Sequence, residues 1–140
     1  MRMEYTIRLS NESDAKCIND ISKHLGYSEL SDTEAEQKLL QLIHSSKDEV
    51  YVAELKGNIV GWLHLLFAQR LASDNFYEIG GLVVSPEFRG RGAGRLLVSH
   101  VANLHTGKIR VRCNELRQES HRFYEAIGFS DTKVQRIFEK

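Results

Sequence analysis

Long hydrophobic runs are missing from this 140-residue chain. No apolar stretch approaches the roughly 20 residues that a membrane-spanning helix needs. The opening MRMEYTIRLSNESD carries charge where a secretory leader needs an apolar centre, so a soluble cytoplasmic protein is expected. Cysteine is scarce as well. Cys17 and Cys113 lie far apart with no ligand-like spacing, which reads as a pair of reduced thiols. Net charge is also absent: nineteen Lys plus Arg offset nineteen Asp plus Glu. Bulk attraction to nucleic acid or to a membrane surface is therefore not expected. The six histidines suggest no metal set, since His100 and His105 miss the spacing of about four residues that shares a helix face. What remains is ordinary globular material, 41% hydrophobic and 27% charged, sufficient for the core of one domain spanning residues 1–140.

Periodicity divides the chain into elements. YTIRLS (5–10) alternates as a half-buried strand does, and Asn11 to Asp14 offer caps for a helix carrying Ile18, Ile21 and Leu25 up to Gly26. Ser31 with Glu34 forms a capping-box signature before a second helix with Leu39, Leu40, Leu42 and Ile43. VYVAEL and IVGWLHLLF are rich in β-branched and aromatic residues and flank KGN, where Gly57-Asn58 signals a hairpin. FYEIGGLVV (76–84) predicts a further strand, GRLLVSHVANLH a helix, KIRVRC (108–113) a strand, QESHRFYEAI a helix and KVQRIFE (133–139) a final strand. The order β-α-α-β-β-β-α-β-α-β implies a single-domain mixed α/β (α+β) sheet. It is mostly antiparallel, with one strand–helix–strand crossover that makes a parallel pair.

SPEFRGRGAG (85–94) concentrates glycine and arginine between a strand and a helix. Glycine belongs where backbone turns unusually or approaches something closely. A helix N-terminus behind such a turn is an anion site, because its first N–H groups are unpaired and its dipole favours negative charge. A kinase-type phosphate loop would end in Gly-Lys-Ser/Thr, whereas this one ends in Gly94-Arg95-Leu96. A dinucleotide fingerprint counted from Gly90 would need glycine where Arg95 stands and an acid where IRVRC lies. Both schemes fail.

RGRGAG does fit the pattern Arg/Gln-x-x-Gly-x-Gly/Ala, with Arg89, Gly92 and Gly94 in the fixed places. It resembles the acetyl-CoA pyrophosphate loop of the GNAT N-acetyltransferase superfamily. The resemblance covers nearly the whole chain: IRLSNESDAKCINDISKHLGY, GNIVGW, LVVSPEFRGRGAG and HRFYEAIGF stand in that family's order. It implies a GNAT-like fold with a splayed parallel strand pair and acetyl-CoA as co-substrate. The pantetheine arm would lie along the backbone of Leu82, Val83 and Val84. The pyrophosphate would be wrapped by residues 89–95 (Arg89, Gly90, Arg91, Gly92, Ala93, Gly94, Arg95). Asn114 would either reach the cofactor or simply cap the turn after its strand.

Acetyl transfer to an amine requires removal of the amine's proton, stabilisation of the carbonyl oxygen and protonation of the departing thiolate. Tyr124 occupies the tyrosine position of the family's last motif, where the hydroxyl faces the CoA sulfur; its alternative role is that of a core aromatic. Glu78, eleven residues before Arg89, stands where several relatives place a catalytic base. Simple alternation puts it on one strand face with Gly80 and Leu82. An ordinary strand carboxylate is the alternative, with water removing the proton. Arg117 stands where many relatives keep an asparagine. The expected acceptor side is open or completed by a partner subunit, which allows a homodimer. The resemblance implies an N-acetyltransferase acting on a primary amine of a small molecule or peptide. The second reading is a non-catalytic acyl-CoA-binding regulatory module, and it has no need of Tyr124.

Overall fold

Alternation and turn chemistry build a sheet around which the helices are arranged. The computed structural model describes residues 4–140. Its five strands are β1 (Thr6–Leu9), β2 (Asp48–Leu55), β3 (Asn58–Ala68), β4 (Phe76–Val84) and β5 (Ile109–Val111), adjacent in that order. Neighbours from β1 to β4 are antiparallel, and β4 with β5 is parallel. Helices α1 (Ala15–His24) and α2 (Asp32–His44) separate β1 from β2, α3 (Ala93–Leu104) makes the crossover to β5, and α4 (Gln118–Ala126) follows.

Local signals account for most boundaries. Ser31 caps α2 by accepting the Glu34 N–H at 3.1 Å. Asn11 and Asp14 form a reciprocal box, but around a 3-10 turn (Glu12–Asp14) that leads into α1. Arg8 fastens this turn to the sheet through Asp14 at 2.8 Å and Glu54 at 3.1 Å. The β2–β3 hairpin turns on Lys56 and Gly57, with φ of 51° and 82°. Two consecutive positive φ values define a primed turn, whose twist matches that of the strands. The turn therefore sits one residue earlier than the Gly57-Asn58 signal, and Asn58 already pairs with Leu55.

The sheet separates two apolar layers. Tyr51, Leu63, Leu65 and Ile79 pack with Leu97, Val98 and Val101 of α3, and Phe123, Tyr124 and Phe129 border this layer. The opposite face carries Val50 against Ala15 of α1 and Leu39 of α2. There Trp62 Nε1 donates to Ser22 Oγ at 3.0 Å, tying α1 to β3.

The predicted strand over 133–139 does not form. Residues 129–140 carry no helix or strand. Val134, Ile137 and Phe138 are 71%, 77% and 88% exposed, so their alternation has no neighbour to satisfy it. A strand needs a partner for its backbone groups, and β5 supplies only three residues of edge. Among the described residues no helix is long and apolar enough to cross a membrane.

Candidate functional site

The site originates in a mismatch between β4 and β5. They pair only at Tyr77–Ile109, Glu78–Arg110 and Ile79–Val111, after which β5 stops and β4 continues. Among the described residues, the β5-side edge of β4 from Gly80 to Val84 consequently faces no strand. At the point of divergence β4 also bulges: His64 pairs with Gly81 and Leu65 with Ile79, leaving Gly80 as the extra residue. A bulge reverses the alternation beyond it. Glu78 therefore lies on the α1/α2 face with Gly81 and Val83, whereas Leu82 and Val84 lie on the α3/α4 face. Strict alternation across Gly80, with Glu78 and Leu82 on one side, is thus incorrect.

At the far end of β4, Pro86–Phe88 forms a 3-10 turn and the chain enters α3 through Gly90 and Gly92, whose φ values are 72° and 93°. Such backbone is costly for any residue with a Cβ, and a Cβ at either position would meet no atom within 4 Å. Their surroundings are open. No side chain caps α3 at Gly92, and its first turn holds no acidic residue. The first intrahelical N–H is that of Leu96, bonded to the Gly92 carbonyl at 3.0 Å. The N–H groups of Ala93, Gly94 and Arg95 thus stay available to an anion. Arg89, Arg91 and Arg95 are exposed and make no ion pair among the described residues. This donor set fits a pyrophosphate. Ala93 and Gly94 differ from the rest of the loop, being buried beneath it. A Cβ on Gly94 would stand 3.3 Å from Phe123 Cζ and 3.5 Å from Val84 Cγ2, so this glycine lets α3 close on α4 and β4.

Tyr124 lies in α4 on the α3 side of the sheet, edge-to-face with Phe123 at 5.0 Å and Phe129 at 5.4 Å. Its hydroxyl makes no hydrogen bond among the described residues. Ser10 Oγ is the only buried side-chain polar atom there without a partner, so the phenol oxygen retains access to solvent. Burial of the ring, and then the nearby Cys113 thiol, push the phenol well above the ordinary tyrosine range. It is a proton holder at any physiological pH. Burial likewise pushes the Cys113 thiol up, against the opposing charge of Arg117. Arg117 in turn donates to the Tyr27 hydroxyl at 3.0 Å and lies over its ring at 5.2 Å, bridging to the α1–α2 loop. Asn114 is engaged in its own turn: Oδ1 accepts the Leu116 N–H at 2.9 Å, and its carbonyl lies 2.9 Å from His121 Nε2.

Glu78 is partnered. Arg112 Nε donates to its carboxylate at 3.0 Å, and Arg110 Nε lies 4.0 Å away. Arg110 also covers the Phe76 ring at 4.5 Å. The Glu78 side chain is 16% exposed and that of Arg112 57%, so the guanidinium covers the carboxylate from the solvent side. Sequence reasoning missed Arg112, Cys113 and Tyr27. Parallel pairing of IRVRC with FYEIG places the two arginines beside Glu78, a register that no local pattern encodes. Among the described residues no group of three or more His, Cys, Asp or Glu is placed to hold a metal ion.

The structure thus combines a parallel strand pair that parts beyond Ile79, an uncapped helix start beside three arginines and a protonated phenol on the α3/α4 face. Residues 16–129 match the sequence model of the Acetyltransferase (GNAT) family, and the chain belongs to that family. No curated protein matches the sequence. Among solved structures, the aminoglycoside acetyltransferase AAC(6')-Iy in complex with CoA-S-monomethyl-acetylneamine is 18% identical. It superposes with a TM-score of 0.85 over 98% of each chain. AAC(6')-Ih from Acinetobacter baumannii is 20% identical, with a TM-score of 0.84 and 98% of each chain covered. A Trypanosoma brucei acetyltransferase is 23% identical, with a TM-score of 0.79 over 98% of this chain and all of that one. At such identities the likeness shows the shared fold.

Proposed function

We propose that the protein transfers the acetyl group of acetyl-CoA to a primary amine of a small molecule or peptide. The observation that carries this is the open, uncapped start of α3 beside Arg89, Arg91 and Arg95, at the end of a β4 edge that meets no strand. The pyrophosphate is read onto residues 89–95 and the pantetheine onto the backbone of Leu82, Val83 and Val84. Proteins of the same fold solved with CoA or a CoA conjugate support CoA as the ligand of this reading. The acetyl end then reaches the divergence at Gly80, where β4 bulges and its pairing with β5 has ended.

Base and acid approach this point from opposite faces, Glu78 from the α1/α2 side and Tyr124 from the α3/α4 side. The amine nitrogen attacks the thioester carbon, the C–N bond forms and the C–S bond breaks. Glu78, directly or through water, receives the proton lost by nitrogen. Tyr124 delivers one to the thiolate. A backbone N–H of β4 near Leu82 stabilises the carbonyl oxygen as charge develops on it. For Asn114 its bond to Leu116 favours the turn-capping role. Acetyl-CoA should raise the melting temperature through preferential binding to the folded state, and a free-thiol release assay should detect turnover on an amine panel. Protection by ATP or NAD equal to that by acetyl-CoA would refute the loop assignment, and protection without any turnover would favour the acyl-CoA-binding module.

A further inference from the structure

The acceptor side has a charge arrangement that a polycation does not fit. Arg110 of β5 pairs in register with Glu78, Arg112 just past the strand's end reaches the same carboxylate, and Arg117 stands further along the loop. Arg112 has no carboxylate other than Glu78 within ion-pair distance among the described residues, and the Arg117 guanidinium, which donates to the neutral Tyr27 hydroxyl, has none there. Two guanidiniums thus meet one carboxylate, which is already engaged at 3.0 Å. A polyamine or aminoglycoside entering here would bring further positive charge against an unbalanced positive rim. A plain amine would have to displace Arg112 from Glu78 and leave the guanidinium without its partner.

The geometry points to a zwitterionic acceptor, an amino-acid-like amine bearing a carboxylate on the carbon next to nitrogen or one carbon further. Its ammonium takes the place of Arg112 on Glu78, and its carboxylate takes the place of Glu78 on Arg112. One internal ion pair is exchanged for two, and neither member of the original pair is left without a partner. Arg112 is suited to this because it is the more exposed member of the pair and its planar fork matches a carboxylate in two hydrogen bonds. Arg110, held over Phe76, stays in place as the second positive charge. This inference rests on the acetyl-transfer reading and narrows it to a specificity residue.

The test is acetyl-CoA-dependent thiol release with matched acceptors: glycine against glycinamide, β-alanine against its amide, and spermidine as the polycation, with rates compared per free amine. Each carboxylate should exceed its amide by about tenfold or more in kcat/KM, mainly through KM. Arg112→Gln should bring that ratio close to one, and Arg112→Lys should restore part of it. Arg112 is on the surface, so the variants should fold, and their melting temperatures check this. Amides or spermidine used as well as the carboxylates would overturn the inference, as would a ratio unchanged in Arg112→Gln or no turnover of any probe. Protection of the fold by acetyl-CoA, measured in parallel, tells whether the acetyl-transfer reading falls with it.

Discussion

Replacing Tyr124 with phenylalanine separates chemistry from packing more cleanly than any other single change. The hydroxyl donates to nothing among the described residues, so its loss leaves no protein group unsatisfied. The edge-to-face contacts at 5.0 and 5.4 Å belong to the ring and survive in Phe. The folding free energy should therefore move by less than about 0.5 kcal/mol, below the usual worth of a made hydrogen bond. Acetyl-CoA affinity should hold for the same reason. If the phenol protonates the thiolate, kcat should fall about 10²-fold, equivalent to about 2.7 kcal/mol of barrier. The pH profile is a second check. Burial raises the phenol's pKa, so the protonated acid persists through neutral and mildly alkaline pH, and its loss belongs in an alkaline limb above about pH 10. Steady-state kinetics on a verified acceptor, beside urea melts of both proteins, would measure all of this. Wild-type turnover in Tyr124→Phe with an unchanged pH profile would remove the residue from the mechanism.

Gly92 and Gly94 should fail in different ways. Gly94→Val drives methyl groups toward Phe123 and Val84, costing about 1–3 kcal/mol of stability in urea melts. Gly92→Val meets backbone strain at φ 93° of about 1–2 kcal/mol, but its main effect should be loss of acetyl-CoA protection in a thermal shift. Equal behaviour of the two would contradict their different surroundings. At Asp14, burial alone would raise the pKa, but the bonds from Arg8 and from the Asn11 N–H hold it below its usual value. That stabilisation is complete above the unfolded carboxyl range near pH 4 and lost as pH falls through the folded value. Arg8→Ala should cost about 3 kcal/mol at pH 7 because it strands a buried carboxylate. Melts of the two proteins should converge toward pH 3, and a constant gap would show that the charge is not responsible.

The elements that were legible in the sequence are those specified within a few residues of themselves. Ser31 and Glu34 cap α2, the hairpin signalled by Gly57-Asn58 forms one residue earlier at Lys56 and Gly57, and RGRGAG opens α3. Each signal involves groups that meet across one turn of chain. Relations that depend on two distant segments were not legible. The ion pair between Glu78 and Arg112 joins residues 34 apart through a three-residue parallel register, and Arg117 meets Tyr27 across 90 residues. The segment over 133–139 alternates like a strand yet pairs with none of the described residues. Alternation describes what a strand would bury and does not guarantee an edge to receive it.

The bulge at Gly80 makes this the one position at which β4 can change length without exchanging its faces. A substitution there would face His64 Nδ1 at 3.1 Å and Leu66 Cδ2 at 3.2 Å, both ends of side chains with some freedom to yield. Deleting the residue removes the bulge altogether. Leu65–Ile79 and His64–Gly81 would then be consecutive pairs of a regular ladder, with Glu78 still on the α1/α2 face and Leu82 still on the α3/α4 face. What the extra residue contributes is local, a bend and added twist of β4 at the point where it leaves β5. A relative lacking it would keep the same two faces, so its strand is matched to this one by a gap at Gly80, and an ungapped alignment would assign one of the two faces to the wrong residues.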